Sequence, residues 1–330
     1  VYKRQGLSAG RKCAEQSLFP YETVDKLHDA HHHTGPLAML RIQVSDGSEV
    51  LWQPFVEEAV EDPVVERTLY KNATGNRLVF EETHNGLGLV FRYRWSASDA
   101  LGLVRTASIT CVGTQKRKVR VLDGIRNILP YGTPLALQQT SSSLVDAYKR
   151  VDLEPHTQMA VFSLTSKILD RAEAAEVLRA NVAWCHGLKS FEVCINSQSV
   201  SAFRHGKSLP HDAVLKGQRG NYLVEATLAL EPGETSRWHM VADVGLSHVQ
   251  LAALRLRLLQ QKDLGQWIDA SLAEATQSLR RNVASADGVQ LSAQSVTAVH
   301  HFANVLFNNM RGGVFADNDQ VEIGDFRRFV

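Results

Sequence analysis

Between about Leu37 and Val244, apolar and polar positions alternate with a period of two, the pattern of strands that bury one face. The clearest run puts Leu87, Leu89, Phe91, Tyr93 and Trp95 on one side and Gly88, Arg92 and Arg94 on the other. His84-Asn85-Gly86 precedes it, and Asn-Gly supplies the positive φ angles of a tight hairpin, so 77–82 is the expected partner strand. Asp99-Ala100-Leu101-Gly102 turns the chain into a strand over 103–112, and another is expected over 118–122. Phe191, Val193 and Ile195 alternate with Glu192 and Cys194. Tyr222, Val224, Ala226, Leu228 and Leu230 share a face, and Pro232-Gly233 then leads into Trp238, Met240, Ala242 and Val244. Residues 143–150 read as a short helix on a connection, and the second half of 172–184 as a strand. So many strands joined by short turns predict a large antiparallel two-sheet β-sandwich.

At Gly245 the period changes. Ser247 with Gln250 three residues later fits a capping box, in which each side chain satisfies an orphan backbone N–H. Leu251, Leu254, Leu258, Ile268, Leu272, Ala275, Leu279 and Val283 then form a helical stripe, with a break expected near Gly265 and an end at Asp287-Gly288. From Ser292 a second amphipathic helix carries Val296, Val299, Ala303, Leu306, Phe307 and Met310. Arg311-Gly312-Gly313 breaks it, the polar loop Phe315-Ala316-Asp317-Asn318-Asp319 comes next, and another amphipathic stretch begins at Asp325. One helix and the start of another enclose no core. The pattern therefore predicts a mainly β, multidomain chain: a tail over 1–17, a sandwich over 18–245, a helical linker over 246–287, and the truncated start of an all-helical domain over 288–330.

Val1-Tyr2-Lys3-Arg4-Gln5 shares no pattern with the rest of the chain and resembles a translated sequencing-adaptor scar, so fold reasoning sets the first fifteen or so residues aside. Composition changes the picture little. With 330 residues, 44% hydrophobic and 22% charged, the chain reads as globular and larger than one core usually grows. A net charge of +1 supplies no electrostatic footprint for nucleic acid, and no apolar run reaches the ~20 residues needed to cross a bilayer. The four cysteines form no C-x-x-C pair, which favours reduced thiols and a cytoplasmic setting.

Several segments then point to a family. Leu18-Phe19-Pro20-Tyr21, His33-Thr34-Gly35-Pro36, the run from Val121 to Pro130 (VLDGIRNILP), Ser143 to Lys149 (SLVDAYK) and Phe307 to Phe315 (FNNMRGGVF) look like segments of a branch of the cellobiose-phosphorylase-like enzymes. The resemblance covers most of 18–330. It implies a "supersandwich", then a helical linker and the first helix of an (α/α)6 barrel. It also implies a parent that cleaves a glucosidic bond of an oligo- or disaccharide with inorganic phosphate as co-substrate and no other cofactor, and that forms a homodimer. An inverting glycosidase of the same layout is the nearest alternative, and a non-catalytic carbohydrate-binding sandwich the rival from another class. In such enzymes the general acid lies deep in the barrel, so the catalytic residues are expected downstream of Val330.

Chemistry at a glycosidic bond needs a proton donor for the leaving oxygen, and phosphorolysis adds groups that hold phosphate. Arg311 supplies a planar fork, Phe315 an aromatic face, and Asp317 and Asn318 polar contacts, all around a Gly-Gly turn; these four are the candidate substrate-binding residues. Helix capping explains the same residues structurally. His28, His31, His32 and His33 invite a zinc hypothesis, but in an extended chain only His31 and His33 would point the same way, and no second ligand cluster is visible, so no metal is expected. Tyr93, Trp95, Trp184 and Trp238 alternate with core positions and read as core, with Trp52 less decided. Neither a G-x-S-x-G elbow nor a Gly-rich nucleotide loop occurs.

Overall fold

The computed structural model describes residues 17–20, 29–44, 47–56, 64–169, 176–260, 262–311 and 322–329. Two antiparallel sheets make up its body. The five-stranded sheet joins β1 (Gly35–Gln43), β2 (Glu49–Trp52), β7 (Arg117–Ile128), β11 (Glu192–Cys194) and β13 (Gly220–Leu230), in the order β11-β13-β7-β1-β2. The nine-stranded sheet takes β3 (Val65–Lys71), β4 (Leu78–His84), β5 (Leu89–Ser98), β6 (Gly102–Cys111), β8 (Lys149–Leu153), β9 (Ala160–Leu164), β10 (Arg179–His186), β12 (Val214–Lys216) and β14 (Thr235–Ser247). Their facing sides share one core that includes Leu40, Leu89, Phe91, Ile109, Val121, Phe162, Tyr222 and Trp238. The alternation around Phe91 is therefore that of an inward face, although Trp95 at its end is only half-buried.

Seven α-helices complete the described chain. Helices α1 (Leu135–Thr140) and α2 (Ser142–Tyr148) occupy the connection before β8, and α3 (Gln198–Arg204) lies against the outer face of the five-stranded sheet through Phe203, which together with Leu209 beyond the helix packs on Met39, Leu122 and Leu223. Helices α4 (His248–Gln260) and α5 (Leu264–Ala284) cover part of the outer face of the nine-stranded sheet. Leu258, Leu264, Ile268 and Leu272 there meet Val104, Val182, Trp184 and Val241. This second core explains why Val104 and Val241 are buried on the side of the sheet where simple alternation expects polar residues. Helices α6 (Ser295–Met310) and α7 (Ile323–Phe329) come last and close no barrel among the described residues. No described helix is long and apolar enough to cross a membrane.

The structure refines several expected boundaries. The capping box at the start of α4 is present: Ser247 N donates to Gln250 Oε1 at 2.9 Å and Gln250 N to Ser247 Oγ at 3.4 Å. Strand β14, however, runs past Gly245 to Ser247 because its pairing with β10 continues to Arg179. The helical break falls between Gln260 and Leu264, where Asp263 adopts φ 55°, and Gly265 sits in the first turn of α5. In the β4–β5 turn the left-handed residue is Gly88 (φ 65°), not Asn85 or Gly86, so the connection is four residues long and no Asn-Gly hairpin forms. In α6 the buried side chain is Phe302, while Val296, Phe307 and Met310 of the expected stripe are exposed.

Three of the five segments that carry the family resemblance converge on one corner. Asn127, in VLDGIRNILP, stands at φ 54° in a bulge where Asn221 of β13 faces two residues of β7. Its backbone N–H donates to Asn221 Oδ1 and its amide to Thr34 Oγ1 of the HTGP segment, both at 2.9 Å. Arg126 donates to the carbonyls of His31 and His32 at 2.6 and 2.7 Å. Leu129 N donates to Leu18 O, and Asn181 bridges Leu129 O to the N–H of Gly245. Gly124 has a different requirement: a Cβ there would lie 2.1 Å from Tyr222 O, so only glycine lets β13 approach β7 so closely.

Replacing Asn127 by alanine removes a buried hydrogen bond and leaves a Cβ-bearing residue in a left-handed conformation. Urea titration should show a loss of about 2–4 kcal/mol for Asn127→Ala and a smaller loss for Asn127→Gly, which relieves the backbone component. Equal losses for the two variants would show that the positive φ carries no cost.

Candidate functional site

Of the four residues proposed for the loop after α6, Arg311 is described and Phe315, Asp317 and Asn318 lie outside the described residues. Arg311 caps the C-terminus of α6, donating its backbone N–H to Asn308 O at 3.0 Å. Its exposed guanidinium lies 5.1 Å from the centre of the Phe307 ring, a cation–π contact that holds the fork at the helix end. His31 and His32 fall in a 3-10 turn (Asp29–His32), and their rings are 3.9 Å apart. The extended-chain premise that paired His31 with His33 therefore does not hold. Among the described residues no group of three or more His, Cys, Asp or Glu side chains is arranged to hold a metal ion. Trp52 is buried, donating its indole N–H to Glu82 at 2.8 Å, so it offers no open stacking face.

A cleft that the sequence pattern does not single out lies on the outer face of the five-stranded sheet, beside α3. It encloses about 420 Å³ and is lined by Arg120, Phe191, Glu192, His211, Glu225 and Thr227, among others. Strand geometry puts these side chains together. Glu192 and Glu225 are directly opposed in the β11–β13 ladder, a pairing that brings Cβ atoms to about 5 Å. Two like charges so placed repel unless each finds a partner of its own. Arg120 Nε meets Glu225 at 2.6 Å, and His211 Nε2 meets Glu192 at 2.9 Å. Arg120 is held from behind by the Phe203 ring at 5.1 Å and by the carbonyl of Lys207 at 3.3 Å.

Behind His211 stands Cys194, whose Sγ is 3.9 Å from Nδ1. Cysteine, histidine and carboxylate in sequence suggest a nucleophile with its base, but the electrostatics point the other way. Burial pushes the Cys194 thiol up to about 12, and the neighbouring Glu225 and Glu192 add to the shift against the opposing Ser199 and Arg120. A thiol so raised has almost no thiolate at neutral pH and is not an activated nucleophile. The arrangement suits binding of a hydroxylated, polar ligand: paired carboxylates and a guanidinium accept and donate hydrogen bonds, and the Phe191 ring lies beside them.

No family model and no curated protein matches this chain. Similar solved structures include a bacterial glucoamylase complexed with acarbose, at TM-score 0.46 and 10% identity, where 83% of this chain and 36% of that chain are covered. A protein assigned as a kojibiose phosphorylase from human microbiome aligns at TM-score 0.34 and 10% identity, over 83% of this chain and 28% of that one. An α-galactosidase from Geobacillus stearothermophilus aligns at TM-score 0.31 and 11% identity, over 62% and 30%. This chain thus spans about a third of the length of these proteins, and all three likenesses concern the course of the backbone only.

The thiol assignment is checked by alkylation. With iodoacetamide at pH 8, Cys194 of the native chain should react more than about 100-fold slower than in denaturant, as a buried, protonated thiol does. Rapid native alkylation mapped to Cys194 would restore it as a nucleophile.

Proposed function

We propose that this chain is the sandwich, linker and first barrel helix of a carbohydrate-active enzyme, and that its parent is a glycoside phosphorylase acting on an oligo- or disaccharide. The observation that carries this reading is the order and joining of the parts. A fourteen-stranded, two-sheet sandwich passes through a capped turn into α4 and α5, which are packed on it, and then into α6, which keeps an apolar face exposed. That is the layout implied by the motif resemblance, and the convergence of three of the motif segments on the Asn127 corner gives them a shared structural task within it. Arg311, whose guanidinium lies over the Phe307 ring at the end of α6, is our candidate to contact a substrate in the helical domain.

An inverting glycosidase of the same layout is the second reading, and the products separate the two. Full-length parent incubated with disaccharides should release sugar 1-phosphate only when inorganic phosphate is present; release of free sugar alone, independent of phosphate, would assign hydrolysis. The 330-residue chain should do neither by itself. In the parent, Arg311→Ala should lower kcat/KM by about 5–150-fold, the loss of a charged hydrogen bond worth about 1–3 kcal/mol, with little change in melting temperature. Unchanged kinetics with a lowered melting temperature would make Arg311 a structural cap.

A further inference from the structure

One row of side chains on the outer face of the nine-stranded sheet is used neither by the core nor by the proposed reaction. His186, His239, Thr106 and Arg94 are successive partners across β10, β14, β6 and β5, so they stand on a single rung about 4.8 Å apart. Helix α5 runs alongside this rung. Gly265 approaches His186, and further along the helix Arg77 reaches Leu272 O and Thr276 Oγ1. Arg237, two residues before His239 on β14, shares its face from the next rung.

Arg94 therefore shares its rung with one hydroxyl and one imidazole, and Arg77, held by α5, and the exposed Arg237 are its cationic neighbours. Thr106 Oγ1 is 3.0 Å from His239 Nδ1 and 3.5 Å from Arg94 Nη2. Arg94 forms no ion pair among the described residues, and its Nε is buried without a hydrogen-bond partner. Asp269 of α5 is the acid that faces the row, yet none of the three arginines pairs with it within 4 Å. The next acid along, Glu81, is taken by Arg92. The electrostatics agree with this geometry: burial, then Arg77 and Arg237, hold the Arg94 guanidinium below its usual range, with Asp269 opposing. His239 is lowered to about 4 by burial, and His186, Arg94 and Arg237 add to the shift against the opposing Asp269.

Like charges placed together without counter-charge destabilise a fold unless something anionic joins them. We propose that this row binds a small oxyanion, phosphate or a phosphate ester, between Arg94 and Arg237, with the Thr106 hydroxyl as a further donor. Guanidinium forks match tetrahedral oxyanions with paired, charge-assisted hydrogen bonds, and an anion there would also supply the acceptor that Arg94 Nε lacks. The site sits beneath the helix that joins the sandwich to α6, so its occupancy would stabilise the docking of α5. It stands whichever reaction the parent performs.

The experiment is a thermal melt of the chain with inorganic phosphate, at ionic strength held constant with sodium chloride. Phosphate should raise Tm by about 2–4 °C and saturate in the millimolar range. Arg94→Gln should abolish the saturable rise while keeping the phosphate-free Tm equal to or above that of the unaltered chain, since it removes repulsion. Asp269→Asn should tighten phosphate binding several-fold in calorimetric titration. A rise that grows linearly without saturating, as surface exclusion of phosphate produces, or one that persists in Arg94→Gln, would overturn the proposal. So would a phosphate-free Arg94→Gln chain that melts lower, because the arginine would then be held by contacts and not by the missing anion.

Discussion

Asp123 is the point on which the two sheets depend. It lies on the five-stranded sheet with its side chain fully buried, and its Oδ2 accepts from two residues of the nine-stranded sheet, Arg105 Nη1 at 2.5 Å and Trp238 Nε1 at 2.7 Å. Arg105 is equally buried, and its guanidinium lies over the Tyr93 ring at 4.7 Å. A dispersive core tolerates sliding of one sheet over the other, whereas a buried carboxylate with two directional donors permits one register only. Desolvating both charges is costly, and that cost is offset only while the pair is intact. Gly124, next in sequence, then allows β13 to come within backbone contact, so one dipeptide sets both the distance between sheets and the spacing within one of them.

Everything outside the sandwich builds on its two outer faces. On the five-stranded side, α3 leaves open the cleft in which Glu192 and Glu225 face each other, paired with His211 and Arg120 respectively. On the nine-stranded side, α4 and α5 cover an apolar patch and leave the polar row from His186 to Arg94 along the flank of α5. Both features arise because the outward positions of a strand ladder align side chains from residues far apart in sequence. Helix α5 is fixed to the sandwich by polar contacts as well, Ser98 to Ser271 at 2.8 Å and Asn76 to Thr276 at 3.0 Å.

The same division separates the features legible in the chain from those that are not. Strand alternation around Phe91 and Tyr222 and the Ser247–Gln250 box are local patterns, and they locate the sandwich, its inward face and the start of the linker. The β4–β5 turn misleads because Asn85-Gly86 is a common hairpin signal, whereas this four-residue loop places its left-handed residue at Gly88, close against Gly113. Val104 departs from simple alternation because it lies under α5, which is not a local fact. The cleft is invisible in the sequence for the same reason. Glu192 and Glu225 are 33 residues apart (225 − 192) and meet only through the β11–β13 pairing. His211 joins them from a loop that carries no periodic signal. VLDGIRNILP is legible as a motif, but its task is not: Asp123, Gly124, Arg126 and Asn127 each serve a different tertiary contact.

The central claim is that Asp123 and Arg105 act as one coupled unit across the sheets, and a double-mutant cycle measures that coupling directly. Stability to urea is compared for the unaltered chain, Asp123→Leu, Arg105→Met and the double variant. Each single change strands a buried charge, so each should cost several kcal/mol, while the double variant should recover much of the loss and leave an interaction energy of about 2–3 kcal/mol. Additive losses, with an interaction energy within about 0.5 kcal/mol of zero, would show that the two side chains are buried independently and that the sheets are held in register by apolar packing alone.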